Sequence, residues 1–468
     1  MRRFTRAPRT AAAAVAVLVA TTAYTAAACA SVPASPDPTP VSSAPLPSIT
    51  AGANWTTYHF DQLRHGYDAT AATASGNLNI AWASALDGAV YAEPLVVDGT
   101  IIAATENDSL YGLSLSGNVL WRTHVGSPVP LSKLPCGNID PLGMTGTPIY
   151  DAGTGRVYVA AELDNPIRHR LYAINAVTGH VAWSRSLDPA NMVVETQQQR
   201  AALAISHGRV WVAFGGLAGD CGSYHGWVIG QRLSGKGKLS VYQQPSAREA
   251  GIWAPSGPAV DDVGNLYVAV GNGSAVQPPY DDSDSITKLD GNTLVDLFAP
   301  ANWAAENAGD YDLGSTGPLL FSALGRQWVF GAGKAGDGYL LHQNNLGGIG
   351  GEAASIHNCK SFGGTAFRAG TVYVPCLSGL SAYQVVAGPA MNLRWQNTAV
   401  QYGAAPVLGG GAVWAVSDNS LFQLNPTDGT TVTSLPLGAT TPHFATPTLH
   451  GSLVLVGTVN GVTAVSTR

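Results

Sequence analysis

AEPLVVDGTIIAATENDSLYGLSLSGNVLW, from Ala92 to Trp121, and TGTPIYDAGTGRVYVAAELDNPIRHRLYAINAVTGHVAW, from Thr145 to Trp183, are two copies of one pattern. Each copy places a proline before its first apolar segment and then contains four short segments, separated by Asp-Gly, Thr-Gly or Ser-Gly pairs. Apolar or alternating segments between such turn pairs predict β-strands joined as hairpins. Proline is tolerated before a first strand, because that position needs no ladder donor. Each copy therefore predicts four antiparallel strands, the unit that forms one blade of a β-propeller.

Six looser copies continue the pattern along the chain. They begin at Arg200, Pro255, Ser315, Gly363, Ala404 and Ala445. The last copy stops near Thr467 after three strands, whereas a single strand, LNIAWASAL at Leu78–Leu86, precedes the first copy. A ring closed by this N-terminal strand leaves no bare sheet edge. The sequence thus predicts an all-β fold: one eight-bladed β-propeller of four-stranded antiparallel blades, the last blade closed by the N-terminal strand.

The composition excludes several other classes of protein. Charged residues are 12% of the 468 residues, against a usual share of roughly 25%, and 55 residues are glycine. Helical bundles and coiled coils need more charge and less glycine, and the 46% of hydrophobic residues is too high for a disordered chain. The net charge of -6, with no dense basic run after residue 10, argues against a nucleic-acid partner.

The first 52 residues predict export and a tether. Residues 1–29 combine four arginines, an alanine-rich run and Cys29, the pattern of a signal peptide with a possible lipobox. Lipidation of Cys29 would anchor the protein to a membrane, whereas cleavage after an Ala-x-Ala would release it. Residues 30–52 are rich in proline and serine, which is typical of a semi-extended linker. Residues 53–468 remain for a single propeller domain outside the cytoplasm: a cell-surface or periplasmic lipoprotein, or a secreted protein, that contacts a membrane only through a lipid anchor.

Four further cysteines are an even number, as expected of an exported chain. On paper they allow three pairings. Cys359 precedes the first strand of the sixth copy and Cys376 ends its second strand, so a hairpin brings them to the same end. Cys136 and Cys221 occupy equivalent ends in the second and third copies. We predict the disulfides Cys136–Cys221 and Cys359–Cys376.

The repeat, written AxPxVxxGxxxxxxxDxxLYALxxxTGxxxW, resembles that of pyrroloquinoline quinone (PQQ) propellers, the quinoprotein alcohol dehydrogenases and their non-catalytic relatives. The segment NWTTYHFDQLRHGY, from Asn54 to Tyr67, resembles the opening segment of many such exported propellers. The resemblance covers roughly residues 53–467. In the enzymes the quinone stacks on a tryptophan in the central funnel, beside a divalent cation held by a Glu, an Asn and often an Asp, and a further acid serves as base. The resemblance therefore implies that the site residues of this chain come from the starts of first strands and the ends of second strands, at one mouth of the ring.

Two residues match the quinone-binding positions of this family. Trp253, in AGIWAPSGPAVDD, lies close to the stacking tryptophan, although a couple of residues out of register. Lys334, in GKAGDGYLL, lies near the basic residue that contacts the quinone oxygens. The structural alternatives are that Trp253 belongs to the core and that Lys334 is a solvated loop charge.

Acidic and amide residues match the cation and base positions. Asp220 lies near the ligand glutamate, Asn272 in the Gly-Asn segment, and Asp310 and Asp312 in the acidic segment before the fifth copy. The resemblance makes Asp220, Asn272 and Asp310 candidate ligands of Ca²⁺ and makes Asp310 and Asp312 candidate catalytic acids. The structural alternatives are a turn residue of positive φ for Asn272, a loop cap for Asp220, and pairing with backbone amides for the other two.

Two functions of different classes follow from the resemblance. One is an exported quinoprotein-type dehydrogenase that oxidises alcohols, polyols or sugars with PQQ and Ca²⁺. The other is a non-catalytic binding or scaffold propeller of the cell envelope, whose partner is an envelope protein. The enzymes carry two adjacent cysteines where this chain has only Cys136, which weighs against catalysis. Because the chain has no haem-attachment motif, any electrons would need an outside acceptor. In either case we expect a monomer.

Overall fold

The computed structural model of the protein describes residues 52–468. Within these residues the chain forms eight β-sheets arranged blade after blade along the sequence, so the predicted eight-bladed propeller is confirmed. The predicted signal peptide, the possible lipidation site Cys29 and nearly all of the linker at 30–52 lie outside the described residues.

Blades 1 to 4 each contain four consecutive antiparallel strands. The strands of blade 1 are Leu95–Val97, Thr100–Thr105, Ser109–Ser114 and Val119–His124. Those of blade 2 are Ile149–Asp151, Arg156–Leu163, Arg168–Asn175 and Val181–Ser186. Those of blade 3 are Ala204–Ser206, Arg209–Gly216, Trp227–Arg232 and Ser240–Gln243. Those of blade 4 are Ala259–Val260, Leu266–Val270, Ser285–Asp290 and Thr293–Ala299.

Blades 5 to 8 repeat this order, and the last takes its outer strand from the N-terminal side of the chain. The strands of blade 5 are Leu319–Ala323, Arg326–Ala332, Gly338–His342 and Ala354–Ile356. Those of blade 6 are Ala366–Arg368, Thr371–Cys376, Gly379–Val386 and Ala390–Asn397. Those of blade 7 are Val407–Gly409, Ala412–Ser417, Ser420–Leu424 and Thr431–Pro436. Those of blade 8 are Thr448–His450, Leu453–Thr458, Gly461–Ser466 and Asn79–Ala85.

Short elements lie between or beside the blades. They are the strands Tyr67–Asp68, Gln197–Gln198 and Gly348–Ile349, the α-helix Trp303–Gly309, and the 3₁₀ helices Leu131–Lys133, Val194–Thr196 and Leu313–Ser315. No helix of the described residues is both long enough and apolar enough to cross a membrane.

The ring closes as the sequence predicts. Asn79–Ala85 pairs antiparallel with Gly461–Ser466, from Asn79 opposite Ser466 to Ala85 opposite Gly461. The outer edge of the third strand of blade 8 is therefore covered, and the two ends of the propeller are held by ladder hydrogen bonds.

The recurring tryptophan and glycine of the repeat form joints between neighbouring blades. A tryptophan from the fourth strand of one blade packs on a turn glycine of the next blade, where a Cβ atom would lie only 2.3–2.7 Å from the indole ring. The joints are Trp82 with Gly117, Trp121 with Gly179, Trp183 with Gly235, and Trp395 with Gly429. The TGxxxW motif thus encodes contact between blades.

Residues 53–66, which we call the hub segment, connect all eight blades. Its backbone, together with the Gln62 side chain, bonds to the middle or end of the first strand of each blade. The blade residues in these bonds are, from blade 1 to blade 8, Val96, Tyr150, Ile205, Val260, Leu320, Phe367, Leu408 and His450. Arg64 of the hub segment is buried and donates to the carbonyls of Leu203 and Pro258, at 3.2 and 2.7 Å. This segment therefore links the inner strands across the central channel.

Candidate functional site

A cavity of about 480 Å³ opens among loops of the central funnel. Most of the loops that line it either precede a first strand or follow a second strand, and the loop at Tyr224 precedes a third strand. All of these positions lie at the same mouth of the ring. Five of the six residues nominated as ligands or catalytic groups line this cavity: Asp220, Trp253, Asp310, Asp312 and Lys334. The fold brings them together from blades 3, 4 and 5.

Lys334 is held by two carboxylates. Its Nζ lies 2.9 Å from Asp310 Oδ1 and also contacts Asp312 Oδ2. The backbone N–H of Lys334 donates to the carbonyl oxygen of Asp312 at 2.9 Å, which fixes the two loops against each other. The Nζ also lies 5.7 Å from the centroid of the Trp253 ring, within the range of a cation–π contact.

Burial and the ion pairs together set the pKa values of this group. It raises the pKa of Asp312, while Lys334 and the backbone N–H of Asn272 act in the opposite direction. The pKa of Lys334 is also raised, because Asp312 and Asp310 outweigh the effect of its own burial. Lys334 therefore stays an ammonium, and Asp312 is a stronger base than an ordinary aspartate.

A second buried acid, Asp284, lies behind Asp312. Its Oδ1 accepts from the backbone N–H of Leu313 at 3.0 Å, and its other carboxyl oxygen has no hydrogen-bond partner among the described residues. Burial, followed by the charge of Asp312, raises the pKa of Asp284 well above its usual value. Sequence reasoning did not identify Asp284, because the run of Asp281, Asp282 and Asp284 precedes a third strand, where no family position was matched.

Trp253 lines the cavity instead of filling the core. It is partly exposed, and its ring lies 6.4 and 6.3 Å from those of Phe362 and Phe444. Gly215, at the end of the second strand of blade 3, makes room for it: a Cβ there would lie 2.7 Å from Trp253 Cβ. The indole is thus available to a planar ligand.

Asp220 lies in a loop fixed by a disulfide. Cys136 and Cys221 are bonded with a Cα separation of 6.1 Å, and Cys359 and Cys376 with one of 4.7 Å, so both predicted pairings are confirmed. The hydroxyl of Tyr224 donates to Asp220 Oδ1 at 2.5 Å. Burial, and next the charge of Asp220, raise the pKa of Tyr224, which keeps this phenol protonated as the donor.

Asn272 is the nominated residue that does not line the cavity. Its backbone N–H donates to Asp312 Oδ1 at 2.8 Å, and its carbonyl accepts from the N–H of Ala250 at 2.8 Å. Its φ is not positive, so the turn alternative does not describe it either. In this structure Asn272 positions the carboxylate of Asp312 through its main chain.

The side chains present do not fit a divalent cation at the predicted place. Among residues 52–468 there is no group of three or more acidic, histidine or cysteine side chains arranged to hold a metal ion. Asp220 accepts from Tyr224, and Asp310 is engaged by Lys334. The prediction that Asp220, Asn272 and Asp310 bind Ca²⁺ therefore gains no support from their arrangement.

Sequence reasoning also missed a basic and aromatic group that lines the cavity. Arg200, His443 and Phe444 lie in loops before the first strands of blades 3 and 8. The Arg200 guanidinium lies 5.6 Å from the Phe444 ring centroid and bonds to His443 Nε2 and Gln198 Oε1, at 3.1 and 3.0 Å. No ion pair of the described residues includes Arg200, so its charge is available to an anion. The only sequence signal was an arginine just before an apolar strand.

Comparison with known proteins agrees with the repeat. The sequence profile of a family described as outer membrane protein assembly factor BamB matches residues 68–212, which cover blades 1 and 2 and the first half of blade 3. The resemblance to PQQ-type propellers is confirmed. No curated protein sequence matches the chain significantly.

Solved structures of similar fold include enzymes and an assembly factor. A quinohemoprotein alcohol dehydrogenase from Pseudomonas putida HK5 has a TM-score of 0.68 at 17% identity, over 91% of this chain and 83% of that one. The quinohemoprotein alcohol dehydrogenase of Comamonas testosteroni has a TM-score of 0.65 at 16% identity, over 88% and 80%. BamB from Moraxella catarrhalis has a TM-score of 0.57 at 15% identity, over 83% and 97%. At these identities the likeness shows the fold alone, and the function depends on the funnel.

Proposed function

We propose that this PQQ-type propeller acts outside the cytoplasm as a quinone-binding oxidoreductase that oxidises alcohols, polyols or sugars. The observation that carries the proposal is the group of Lys334, Asp310 and Asp312 against Trp253, at the mouth of a cavity large enough for a small molecule. The two disulfides fit an oxidising compartment. Lipidation of Cys29 is part of the proposal.

Three features of the cavity support a planar anion such as PQQ as its ligand. The partly exposed indole of Trp253 offers a flat apolar surface, and Phe444 adds a second ring. Arg200 forms no salt bridge within residues 52–468, although the charge of Glu106 acts on it, and an arginine fork suits a carboxylate group. Lys334 keeps one of its three N–H donors after bonding to two carboxylates. We expect Trp253, Arg200 and Lys334 to hold the quinone.

The two acids beside Lys334 have different proposed roles: one accepts a proton and the other orients the lysine. A bound quinone of this type would supply a carbonyl carbon as the hydride acceptor. The Asp312 side chain is 5% exposed and has a raised pKa, so it can take the proton of a substrate hydroxyl. The Asp310 side chain is 60% exposed and holds Lys334 in place. Asp312 is therefore our proposed base, and Asp310 orients Lys334.

A second candidate function is a scaffold of the cell envelope. The profile of the assembly-factor family matches blades 1 and 2 and the start of blade 3, which is the specific observation in its favour. A scaffold would use its outer faces for an envelope protein and would need no ligand in the funnel.

Reconstitution separates the two functions. PQQ would be added to pure protein with and without Ca²⁺, and its absorbance, the melting temperature and dye reduction with a panel of alcohols and sugars would be measured. We expect binding and dye reduction, and Asp312→Asn should retain PQQ while losing at least 10²-fold in turnover. Asp290→Asn, an exposed acid at the end of a blade 4 strand, is the matched control. Absence of PQQ binding under both conditions would contradict the enzyme and leave the scaffold.

A further inference from the structure

The cation ligands nominated from the sequence are committed to other partners in the folded protein. The Asp220 carboxylate accepts the Tyr224 hydroxyl at 2.5 Å, and Asn272 contributes its main chain to Asp312 instead of an amide oxygen to the cavity. Asp310 shares an ammonium with a second carboxylate of the cavity, that of Asp312, and Lys334 lies between them. The place where a metal ion would gain most from two acids already contains a positive charge.

Lys334 is fixed at this place by its main chain as well as by its side chain. The Lys334 N–H donates to the Asp312 carbonyl at 2.9 Å, and the Asp312 carboxylate is held from its other side by the Asn272 N–H at 2.8 Å. The Lys334 side chain is only 22% exposed, and its Nζ lies 5.7 Å from the Trp253 ring centroid. The ammonium thus has two carboxylates and one aromatic face around it.

A divalent ion would have to displace this ammonium to reach both carboxylates. A displaced Lys334 would lose both ion pairs while its backbone stayed anchored beside the new charge, so the two cations would repel each other. Among residues 52–468, no third acidic, histidine or cysteine side chain joins Asp310 and Asp312 in a metal-binding group, whereas hard cations favour several charged oxygen ligands. Both effects favour the lysine over the metal.

We propose that the Lys334 ammonium is the resident cation of this pocket, in the place of a divalent metal, and that the pocket binds its ligand without one. The identity of the ligand rests on the proposed function, but the exclusion of a metal ion does not. One ammonium N–H remains for a ligand oxygen. Lys334 is then both the counter-charge of the two acids and the donor to the ligand.

Terbium luminescence tests the proposal without any quinone. Tb³⁺ stands in for Ca²⁺ at oxygen sites, and nearby tryptophans such as Trp253 sensitise its emission. We expect no sensitised emission from the wild-type protein and a clear, Ca²⁺-displaceable emission from Lys334→Gln, because both carboxylates become free. The double variant Lys334→Gln/Asp310→Asn should lose this emission again, which would place the ion at the pocket.

Two results would overturn the proposal. One is wild-type emission that Asp310→Asn abolishes, and the other is a folded Lys334→Gln protein that binds no Tb³⁺. Should Lys334→Gln fail to fold, the wild-type protein alone decides: an unchanged melting temperature in millimolar Ca²⁺ and in chelator supports the proposal, and a calcium-dependent rise that Asp310→Asn removes contradicts it. If PQQ fails to bind but the Tb³⁺ and Ca²⁺ results are the expected ones, the proposed function is wrong, whereas the proposal that Lys334 takes the place of a metal ion is supported.

Discussion

At the scale of single residues, Gly271 decides where the carboxylate of Asp312 lies. A Cβ atom at Gly271 would be 2.1 Å from Asp312 Oδ1, which the adjacent N–H of Asn272 holds at 2.8 Å. Gly271→Ala should therefore force Asp312 out of its position and away from Lys334. We expect a loss of roughly 1–3 kcal/mol in the free energy of unfolding, with weaker PQQ binding measured by titration.

The control for this change is Gly153→Ala. A Cβ there meets its nearest atom, Asp151 Oδ2, at 3.5 Å, an ordinary contact in an exposed turn. Its stability should stay within about 0.5 kcal/mol of the wild type. Equal losses from both variants would mean that the contact with Asp312 is not the cause.

His169 makes the stability of the propeller depend on pH. It is fully buried, with Nδ1 2.8 Å from Asp188 and Nε2 3.4 Å from Glu162. Burial lowers its pKa, but Glu162 and Asp188 outweigh burial and raise the pKa from 6.5 to about 10. Because the folded value exceeds the unfolded one, the imidazolium stabilises fully below pH 6.5, and this contribution is lost as the pH rises toward 10.

The loss of unfolding free energy caused by His169→Gln should therefore be largest at the acid end of this pH range. We expect the wild-type protein to be more stable by a few kcal/mol near neutral and lower pH, and the difference to shrink steadily as the pH rises. Urea unfolding at a series of pH values measures it, with the exposed His180→Gln as control. A difference that grows with pH would contradict the assignment of charge.

The residue scale also shows what the sequence could and could not predict. The convergence of Trp253, Lys334 and the acids could be predicted, because their positions at strand ends follow from a repeat that is visible in the sequence. Arg200 and Phe444 reach the same cavity from loops of variable length, where no periodic pattern marks a residue. The sequence predicts the segment that contains Asn272, but whether its side chain or its main chain contacts Asp312 depends on the local backbone direction, which the repeat pattern does not reveal.

At the scale of elements, the two disulfides differ in what they connect and in how much they stabilise the fold. Cys136–Cys221 spans 85 residues and joins the loops before blade 2 and after the second strand of blade 3, whereas Cys359–Cys376 spans 17 residues within blade 6. The chain-entropy model assigns about 4–5 kcal/mol to the longer loop and about 3 kcal/mol to the shorter one. The pairings were predictable because loops that precede first strands and loops that follow second strands lie at the same mouth of the ring.

Replacing Cys136 and Cys221 with serine should therefore affect stability and the cavity together. Asp220 is adjacent to Cys221, and a Cβ at Gly219 would lie 3.5 Å from Cys136 Sγ. We expect a lower melting temperature and faster amide exchange of residues 217–222. The serine pair at Cys359 and Cys376 should cost less and leave exchange in that loop unchanged. Equal protection of the loop in both variants would show that other contacts hold it.

At the scale of the whole molecule, the ring is held in two ways. Around its rim, tryptophans pack on glycines of the next blade, and the strand Asn79–Ala85 closes the circle; both features could be predicted or explained from the repeat. At its centre, the hub segment at 53–66 bonds to every first strand. The family resemblance singled out this segment, but its contacts with eight blades could not be foreseen, because each joins residues far apart in the chain.

Arg64 tests whether the hub segment makes the propeller unfold as one unit. Its buried guanidinium donates to Thr57 Oγ1 and to the carbonyls of Tyr58, Leu203 and Pro258, at 2.7 to 3.2 Å. Arg64→Met removes these donors and leaves several buried acceptors unpaired, each costing roughly 1–3 kcal/mol. Since the acceptors belong to the hub segment and to blades 3 and 4, amide protection should fall across the inner strands together, as hydrogen exchange would show. The exposed Arg394→Met, on the outer strand of blade 6, should leave exchange unchanged, and a fall confined to blades 3 and 4 would mean that the hub segment does not couple the ring.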